Sequence, residues 1–143
     1  MTEPRVWTFF YGSYMNRSVL AEVDLKPERL DAARLGGYDI RIAPRANLVV
    51  SDRDCVYGAL AQATHAELAR LYVHAKDVLG ETYLPHPVLV ETGSGAWRTA
   101  LCYIAPSMAS GTPDPAYVDR IVAPARELGF PDWYVGRLEA FRS

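Results

Sequence analysis

The segment Val6–Asn16, with the sequence VWTFFYGSYMN, is the most informative part of this chain. Its first half is rich in β-branched and aromatic side chains, which is typical of a buried strand. Gly12 and Ser13 then break the strand, and Asn16 or Ser18 is suited to cap a following helix. This order brings several backbone N–H groups to one point, where the helix dipole adds positive potential. The segment therefore predicts a receptor for a carboxylate or for a developing oxyanion.

Length and composition indicate one globular domain, which we expect to span residues 1–143. The net charge is −2 and the basic residues form no stripe, so a nucleic-acid partner is not expected. The N-terminus lacks a signal-peptide pattern, and no apolar run approaches the ~18 residues of a membrane span. We expect a cytoplasmic protein without a membrane partner, and a homodimer is left open. Cys55 and Cys102 are expected to be free buried thiols.

The pattern along the chain predicts a mixed or antiparallel sheet with a few helices packed on it. A capping box at Thr64 and Glu67 starts a helix that Gly80 ends. Asp114-Pro115 starts a helix over about 116–128, which Pro124 is expected to kink or shorten. The remaining predicted elements are a short helix over 18–23, strands over 34–42 (bulged at Gly36-Gly37), 54–63, 83–92 (an edge or bulged strand) and 97–105, and a last helix over 131–141.

Four motifs in sequence resemble the gamma-glutamylcyclotransferase-like family. They are Tyr11–Asn16 (YGSYMN), Ala43–Leu60 without the usual proline, Thr82–Thr92, and the C-terminal block Tyr103–Leu138. The resemblance covers nearly the whole chain and implies an α+β fold, a small mixed or antiparallel β-barrel with flanking helices. It also implies cleavage of a γ-glutamyl amine by intramolecular cyclisation to 5-oxoproline, a lyase- or transferase-type reaction without a cofactor.

The resemblance implies that the loop of Tyr11, Gly12, Ser13, Tyr14, Met15 and Asn16 binds the substrate, a small γ-glutamyl amine or related acyl-amine. Tyr117 matches a tyrosine with which the family contacts its substrate. The family's acid/base glutamate follows the middle helix in a stretch like Leu-Asp-x-x-Glu-Gly, and the helix end here, LYVHAKDVLGETY, departs from it. Two acids lie close by and are the catalytic candidates, Asp77 by position and Glu81 by side-chain type.

The three histidines, His65, His74 and His86, have no ligand-like spacing, so no metal site is expected. His74 lies near the region of the family's acid and is a conceivable substitute base, although an ordinary polar helix position is the preferred interpretation. Whether the chain is an enzyme at all stays open. An enzyme on the same scaffold with different acyl-transfer or cyclase chemistry, in specialised metabolism, is one alternative, and Tyr14 would suit its bulkier substrate. A non-catalytic small-molecule binding module is the other.

Overall fold

A computed structural model describes residues 3–143. It contains five strands and four α-helices, together with a 3₁₀ turn at Ser13–Met15 and a π-helical turn at Ala75–Leu79. The strands are β1 (Arg5–Phe10), β2 (Asp31–Ile42), β3 (Ala46–Thr64), β4 (Leu84–Thr92) and β5 (Trp97–Ile104). The helices are α1 (Arg17–Ala21), α2 (His65–His74), α3 (Pro115–Glu127) and α4 (Asp132–Ala140).

The strands close into a barrel in the order β1-β3-β2-β4-β5. Neighbouring strands are antiparallel except β1 and β5, which meet in parallel where Thr8 faces Leu101 and close the ring. The predicted α+β class, a small mixed barrel with flanking helices, is therefore confirmed. The parallel contact brings the end of β1 and the end of β5 to the same side of the barrel, which is where the Tyr11–Asn16 loop begins.

Strand β3 is longer than predicted, because it begins at Ala46 rather than at Asp54. Its first part pairs with the second half of β2, up to the contact of Ile42 with Ala46. The predicted bulge lies at Gly36-Gly37, where the register shifts and Gly37 has a φ of 85°. The bulge bends the β2–β3 hairpin, so that strand pairing continues beyond residues 54–63, where apolar and polar side chains alternate in sequence.

The prolines of β4 lie where that strand has one neighbour. Strand β4 contacts β2 only through Glu91 and Thr92, whereas it pairs with β5 from Leu84 onward. Because proline cannot donate to a sheet hydrogen bond, Pro85 and Pro87 are tolerated on this free side. The prediction of an edge strand is confirmed for this half of β4.

The predicted helix boundaries hold closely. The Thr64 hydroxyl accepts from the Glu67 N–H, and the Glu67 carboxylate accepts from the Thr64 N–H, which completes the capping box. After the π-helical turn, Gly80 ends the helical run with a φ of 77°. Asp114 caps α3 with Pro115 in its first turn, but Pro124 does not shorten the helix, which continues to Glu127.

The barrel interior and the inner faces of α3 and α4 form one apolar core. Both cysteines are free; Cys102 is buried as expected, whereas Cys55 is only half-buried. Burial raises the pKa of the Cys102 thiol to about 12, so this thiol stays protonated at neutral pH. Within residues 3–143, no helix is long and apolar enough to cross a membrane.

Gly58 lies where β3 crosses the Phe9 ring, and a Cβ there would come 2.6 Å from Phe9 Cζ and also meet the Phe10 carbonyl oxygen. We expect Gly58→Ala to lower the free energy of unfolding by about 1–3 kcal/mol, because a strand backbone cannot move away from it. Gly136 in α4 has nothing within 4 Å of the equivalent position. The matched variant Gly136→Ala should raise stability by about 0.5–1 kcal/mol. Urea unfolding measures both; equal stability of Gly58→Ala and the wild type would contradict the described packing.

Candidate active site

Two tyrosines join the ends of β1 and β5. The Tyr11 hydroxyl donates to the Tyr103 carbonyl oxygen at 2.6 Å, and the Tyr11 N–H donates to the Tyr103 hydroxyl at 3.3 Å. The two buried rings stack with their centroids 4.7 Å apart. Because both the backbone and the side chain of Tyr11 are held, the start of the Tyr11–Asn16 loop is fixed relative to β5.

Two further tyrosines hold Ala46, the first residue of β3. The Tyr83 hydroxyl donates to the Ala46 carbonyl oxygen at 2.5 Å, and the Ala46 N–H donates to the Tyr117 hydroxyl at 2.9 Å. Ala46 in turn lies against Gly12, where a Cβ would come 2.7 Å from the Ala46 Cβ. Glycine at position 12 is therefore what allows the start of β3 to lie directly against the loop.

With Tyr14, these residues form a tyrosine cluster around the loop, whose members are Tyr11, Tyr14, Tyr83, Tyr103 and Tyr117. Burial is the largest cause that raises the pKa of every one of these phenols above its ordinary value. For Tyr117 the Ala46 N–H and the Ser13 hydroxyl oppose the rise. All five phenols are consequently neutral at physiological pH, so they donate hydrogen bonds and do not act as phenolate bases.

The loop has backbone N–H groups to offer a ligand. The N–H groups of Met15 and Asn16 donate to the carbonyl oxygens of Gly12 and Ser13 in the 3₁₀ turn, each at 3.0 Å. Within residues 3–143, no hydrogen bond uses the N–H of Gly12, Ser13 or Tyr14. All three residues are buried, and a buried donor without a partner costs about 1–3 kcal/mol. Three such donors in succession fit an oxyanion or carboxylate oxygen.

The last residue of the loop, Asn16, connects it to α3. Its Oδ1 accepts from the Ser18 N–H and caps α1, while its Nδ2 donates to the Arg120 carbonyl oxygen at 3.1 Å. That carbonyl would ordinarily accept from residue 124, but Pro124 has no N–H. The proline therefore leaves an acceptor in α3 that the loop uses. The sequence carried this signal, a proline four residues after Arg120, although we interpreted it only as a kink or an end.

The remaining predicted binding residues are divided between the two sides of the loop. Tyr117 lies in the first turn of α3 with its hydroxyl directed to Ala46 and towards Gly12. Tyr14 lies on the other side, where its hydroxyl meets His74 Nδ1. Met15 is buried and, with Asn16, lines a cavity of about 240 Å³ between the loop and the C-terminal part of α3.

The two predicted acids lie in different surroundings. Asp77 is exposed in the π-helical turn and lines a surface groove with Arg70 and His74. Glu81 is half-buried, and its N–H donates to the Ala75 carbonyl oxygen at 3.1 Å. Its charge is one of the smaller causes that raise the pKa of Tyr83, after burial and the neighbouring Tyr117 and Tyr14. Glu81 thus lies beside the tyrosine cluster, and Asp77 lies in the groove.

The sequence indicates Arg45 only together with Arg41 and Arg53, as arginines that flank the middle strands and could bind an anionic substrate, with a solvated surface position as the simpler interpretation. The Arg45 guanidinium lies over the Tyr117 ring, with Cζ 4.7 Å from the ring centroid. Its positive charge opposes the burial-driven rise in the pKa values of Tyr14, Tyr83 and Tyr117. Among the ion pairs of residues 3–143, none involves Arg45, whereas seven of the other twelve arginines have a carboxylate partner. A half-buried cation without a counterion beside the loop is suited to an anionic group of a ligand.

The fold matches solved structures over nearly its full length. An uncharacterized protein from Homo sapiens superposes with a TM-score of 0.84 at 23% identity, covering 96% of this chain and 88% of that protein. A protein described as gamma-glutamyl cyclotransferase gives a TM-score of 0.82 at 23% identity, with the same coverage. A yeast gamma-glutamyl cyclotransferase specific to glutathione gives 0.64 at 13% identity, covering 96% of this chain and 95% of that one.

Two of these neighbours are described as gamma-glutamyl cyclotransferases, so the fold indicated by the sequence motifs is confirmed. No protein-family model matches the chain, and no curated protein sequence matches it significantly. At these identities the likeness concerns the fold, and the activity of this chain has to be argued from its own residues.

The bond between Asn16 and Arg120 can be tested against Pro124. We expect Asn16→Ala to lower the free energy of unfolding by about 1–2 kcal/mol through the lost cap and the unpaired carbonyl. In a Pro124→Ala background, residue 124 can donate to the Arg120 carbonyl, so the same substitution should cost at least about 0.5 kcal/mol less. Urea unfolding of the four proteins measures this coupling. Asn47→Ala, which removes a pair of hydrogen bonds to Ala105, is the control and should show no coupling; additive effects of Asn16→Ala and Pro124→Ala would contradict the interpretation.

Proposed function

We propose that this protein cleaves a γ-glutamyl amine by intramolecular cyclisation, releasing 5-oxoproline and a free amine. The observation that carries the proposal is that three successive buried residues, Gly12, Ser13 and Tyr14, have backbone N–H groups without an acceptor within residues 3–143. Such a set is suited to the oxyanion that forms when an amine adds to an amide carbonyl. The gamma-glutamylcyclotransferase-like fold supports the choice of substrate class.

The reaction asks little of the protein beyond this receptor and a route for a proton. The substrate's α-amino nitrogen attacks its own γ-carbonyl carbon, and the bond between that carbon and the leaving nitrogen then breaks. Because nucleophile and electrophile belong to one molecule, most of the entropic cost of bringing them together is absent. What remains is to stabilise the oxyanion and to move one proton from the attacking to the leaving nitrogen.

Arg45 is our candidate for the substrate's α-carboxylate. Its guanidinium lies against Tyr117, next to the loop, and no carboxylate of residues 3–143 neutralises it. A bidentate contact between a guanidinium and a carboxylate is strong and directional. With the γ-carbonyl oxygen on the loop N–H groups, such a contact would orient the substrate from both ends.

Glu81 and Asp77 are the candidate acid/base carboxylates. Of the two we favour Glu81, because it lies half-buried beside Tyr83. The Tyr83 hydroxyl donates to Ala46, the residue that contacts Gly12 of the loop. A carboxylate in that position is suited to interact with the substrate's ammonium group, either by holding it or by taking its proton. Asp77 lies exposed in the groove on the outer side of α2.

A second candidate function is the same scaffold with different acyl-transfer or cyclase chemistry. The specific observation in its favour is the closed wall of aromatic rings at the loop, in which Tyr14 and Tyr83 each pack edge-on against Tyr103. Such a wall is suited to a less polar acyl group. The substrate panel described next distinguishes this candidate, and also a role limited to binding, from the first.

Release of 5-oxoproline from a panel of γ-glutamyl amines and γ-glutamyl dipeptides is the test of the proposal. We expect turnover by the wild type, and a loss of kcat/KM of about 100-fold or more in Glu81→Gln, since the group facing the ammonium loses its charge. Asp77→Asn is the matched control and should retain most of kcat/KM. No release from any member of the panel would reject the proposal, and a larger loss in Asp77→Asn than in Glu81→Gln would reverse our choice of acid.

Arg45→Gln should raise KM for γ-glutamyl substrates by about 10-fold or more, because a charged hydrogen bond of roughly 1.5–3 kcal/mol is lost. Arg53→Gln is the matched control, since this arginine is 88% exposed and lies far along the β2–β3 hairpin. It should leave KM unchanged. The measurement is the steady-state rate of 5-oxoproline release over a range of substrate concentrations. An unchanged KM in Arg45→Gln would show that the substrate's carboxylate binds elsewhere.

A further inference from the structure

A chain of hydrogen bonds runs from the loop to the protein surface. The Tyr14 hydroxyl lies 2.9 Å from His74 Nδ1, and His74 Nε2 lies 3.0 Å from Glu22 Oε1. The other oxygen of Glu22 accepts from Arg120 Nη2 at 2.5 Å. These residues come from the 3₁₀ turn, the end of α2, the C-terminal cap of α1, and α3, so tertiary packing brings them together.

The partners determine where the protons lie along this chain. The hydrogen bond from Arg120 holds the pKa of the Glu22 carboxyl below its usual value, and the bond to His74 adds to this effect. Glu22 is therefore ionised at neutral pH and accepts from Nε2–H of His74, and in the neutral imidazole this tautomer leaves Nδ1 with its lone pair. Burial raises the pKa of Tyr14, so its phenol keeps its proton. With Nδ1 as an acceptor at 2.9 Å, the hydroxyl donates there rather than to the Leu71 carbonyl oxygen, which is 3.5 Å away.

We propose that Tyr14, His74 and Glu22 form a proton relay for the loop, in place of the carboxylate that related enzymes are expected to use. The inference rests on the function proposed above and deepens it. In the relay the Tyr14 hydroxyl contacts the reacting nitrogen, since Tyr14 belongs to the loop proposed to bind the γ-carbonyl and its hydroxyl begins the hydrogen-bond chain. His74 acts through Tyr14, and Glu22 fixes the tautomer and orientation of the imidazole; both are positioning residues.

The proton balance closes over one turnover. As the α-amino nitrogen bonds to the γ-carbonyl carbon, its surplus proton passes to the Tyr14 oxygen while the Tyr14 proton passes to His74 Nδ1. The imidazolium formed is stabilised by the Glu22 carboxylate. When the bond from carbon to the leaving nitrogen breaks, Nδ1 returns its proton to Tyr14, and Tyr14 delivers one to the leaving amine. No proton, oxidant or co-reactant is left over.

Several charged groups face His74 besides Glu22. Arg120 approaches from α3 through its contact with Glu22, and Asp77 follows His74 in the π-helical turn. Asp24 and Arg70 line the same groove, but the Arg70 guanidinium is engaged by the carbonyl oxygens of Val23 and Asp24.

The relay divides the work between the two sides of the loop. It assigns proton transfer to the His74 side, and it leaves Glu81 as the charge partner of the substrate's ammonium. The two roles differ kinetically, because holding the ammonium appears chiefly in KM and moving the proton appears in kcat. If the bond between Tyr14 and His74 were only structural, its loss would lower the stability of the fold and would not lower kcat selectively over KM.

The first test needs no turnover. In the wild-type protein, the ring ¹⁵N shifts of His74 should report a protonated Nε2 and an accepting Nδ1 at neutral pH. Tyr14→Phe should move the Nδ1 resonance, and Glu22→Gln should weaken the preference for this tautomer. A His74 that is protonated on Nδ1, or that does not respond to Tyr14→Phe, overturns the relay whether or not the protein is active.

The second test is kinetic, with release of 5-oxoproline from the γ-glutamyl panel as the readout. His74→Gln and Tyr14→Phe should each lower kcat by about 100-fold or more, with KM within about threefold of the wild type. The pH profile of kcat should change in His74→Gln. Glu22→Gln should lower kcat less, because its exposed site allows water to replace the carboxylate. His65→Gln, an exposed histidine at the start of α2, is the matched control and should retain kcat.

The outcomes separate the two proposals. An active wild type in which His74→Gln keeps its kcat and pH profile overturns the relay and leaves the proposed function in place. If His74→Gln loses both activity and much of its thermal stability, Glu22→Gln distinguishes the two explanations. A changed pH profile of kcat in Glu22→Gln supports the relay, and an unchanged profile overturns it. A wild type that releases no 5-oxoproline overturns the proposed function, and with it the role of the relay in this reaction.

Discussion

The site depends on the peptide groups of Ala46, which two buried phenols hold from opposite sides. Tyr83 donates to its carbonyl oxygen and Tyr117 accepts from its N–H. Since buried backbone groups must be paired, these two bonds determine how β3 begins, and the contact of Ala46 with Gly12 then determines where the loop lies. Segments that are far apart in sequence, at positions 12, 46, 83 and 117, are thereby held at one point.

A second constraint comes from a backbone carbonyl oxygen of α3 that has no hydrogen-bond donor within the helix. Pro124 removes a donor from the interior of α3, and the carbonyl oxygen of Arg120 becomes available to the Asn16 side chain. The same turn of α3 carries the Arg120 guanidinium to Glu22. One helix therefore supports both ends of the loop, through Tyr117 at Gly12 and through Arg120 at Asn16, at the local cost of one helical hydrogen bond. The loop N–H groups stay unpaired because their neighbours are held by other partners.

Much of this fold can be predicted from local sequence signals. The capping box at Thr64, the proline after Asp114 and the glycines at 36 and 37 each act over a few residues, and each was interpreted correctly. The start of β3 was missed because its first residues pair with β2 rather than follow a strict alternation, and only tertiary pairing defines such a strand. The position of the loop at the end of β1 follows from the aromatic run that precedes it.

The candidate site was predictable only in part. The loop and Tyr117 were recognisable as a motif, and their roles as substrate-binding residues stay a prediction. Asp77 and Glu81 were named from distance along the chain, but the π-helical turn inserts an extra residue into the helix end, and sequence spacing cannot tell which side chain it turns towards the loop. The sequence indicates Arg45 only as one of three arginines near the middle strands. Its contact with Tyr117, like the chain from Tyr14 to Arg120, joins residues that are about 50 to 100 positions apart, for which a single sequence carries no signal.

Binding of 5-oxoproline to the folded protein, followed residue by residue through backbone amide shifts, tests the central claim most directly. This molecule carries both the carbonyl oxygen and the carboxylate that the site is proposed to recognise. The account predicts that the amides of Gly12, Ser13 and Tyr14 shift together in a saturable manner, and that the Arg45 guanidinium resonance shifts with them. Saturable shifts confined to other surfaces would contradict the claim that this loop is an oxyanion receptor. The absence of shifts at the loop at a saturating concentration of 5-oxoproline would contradict it as well.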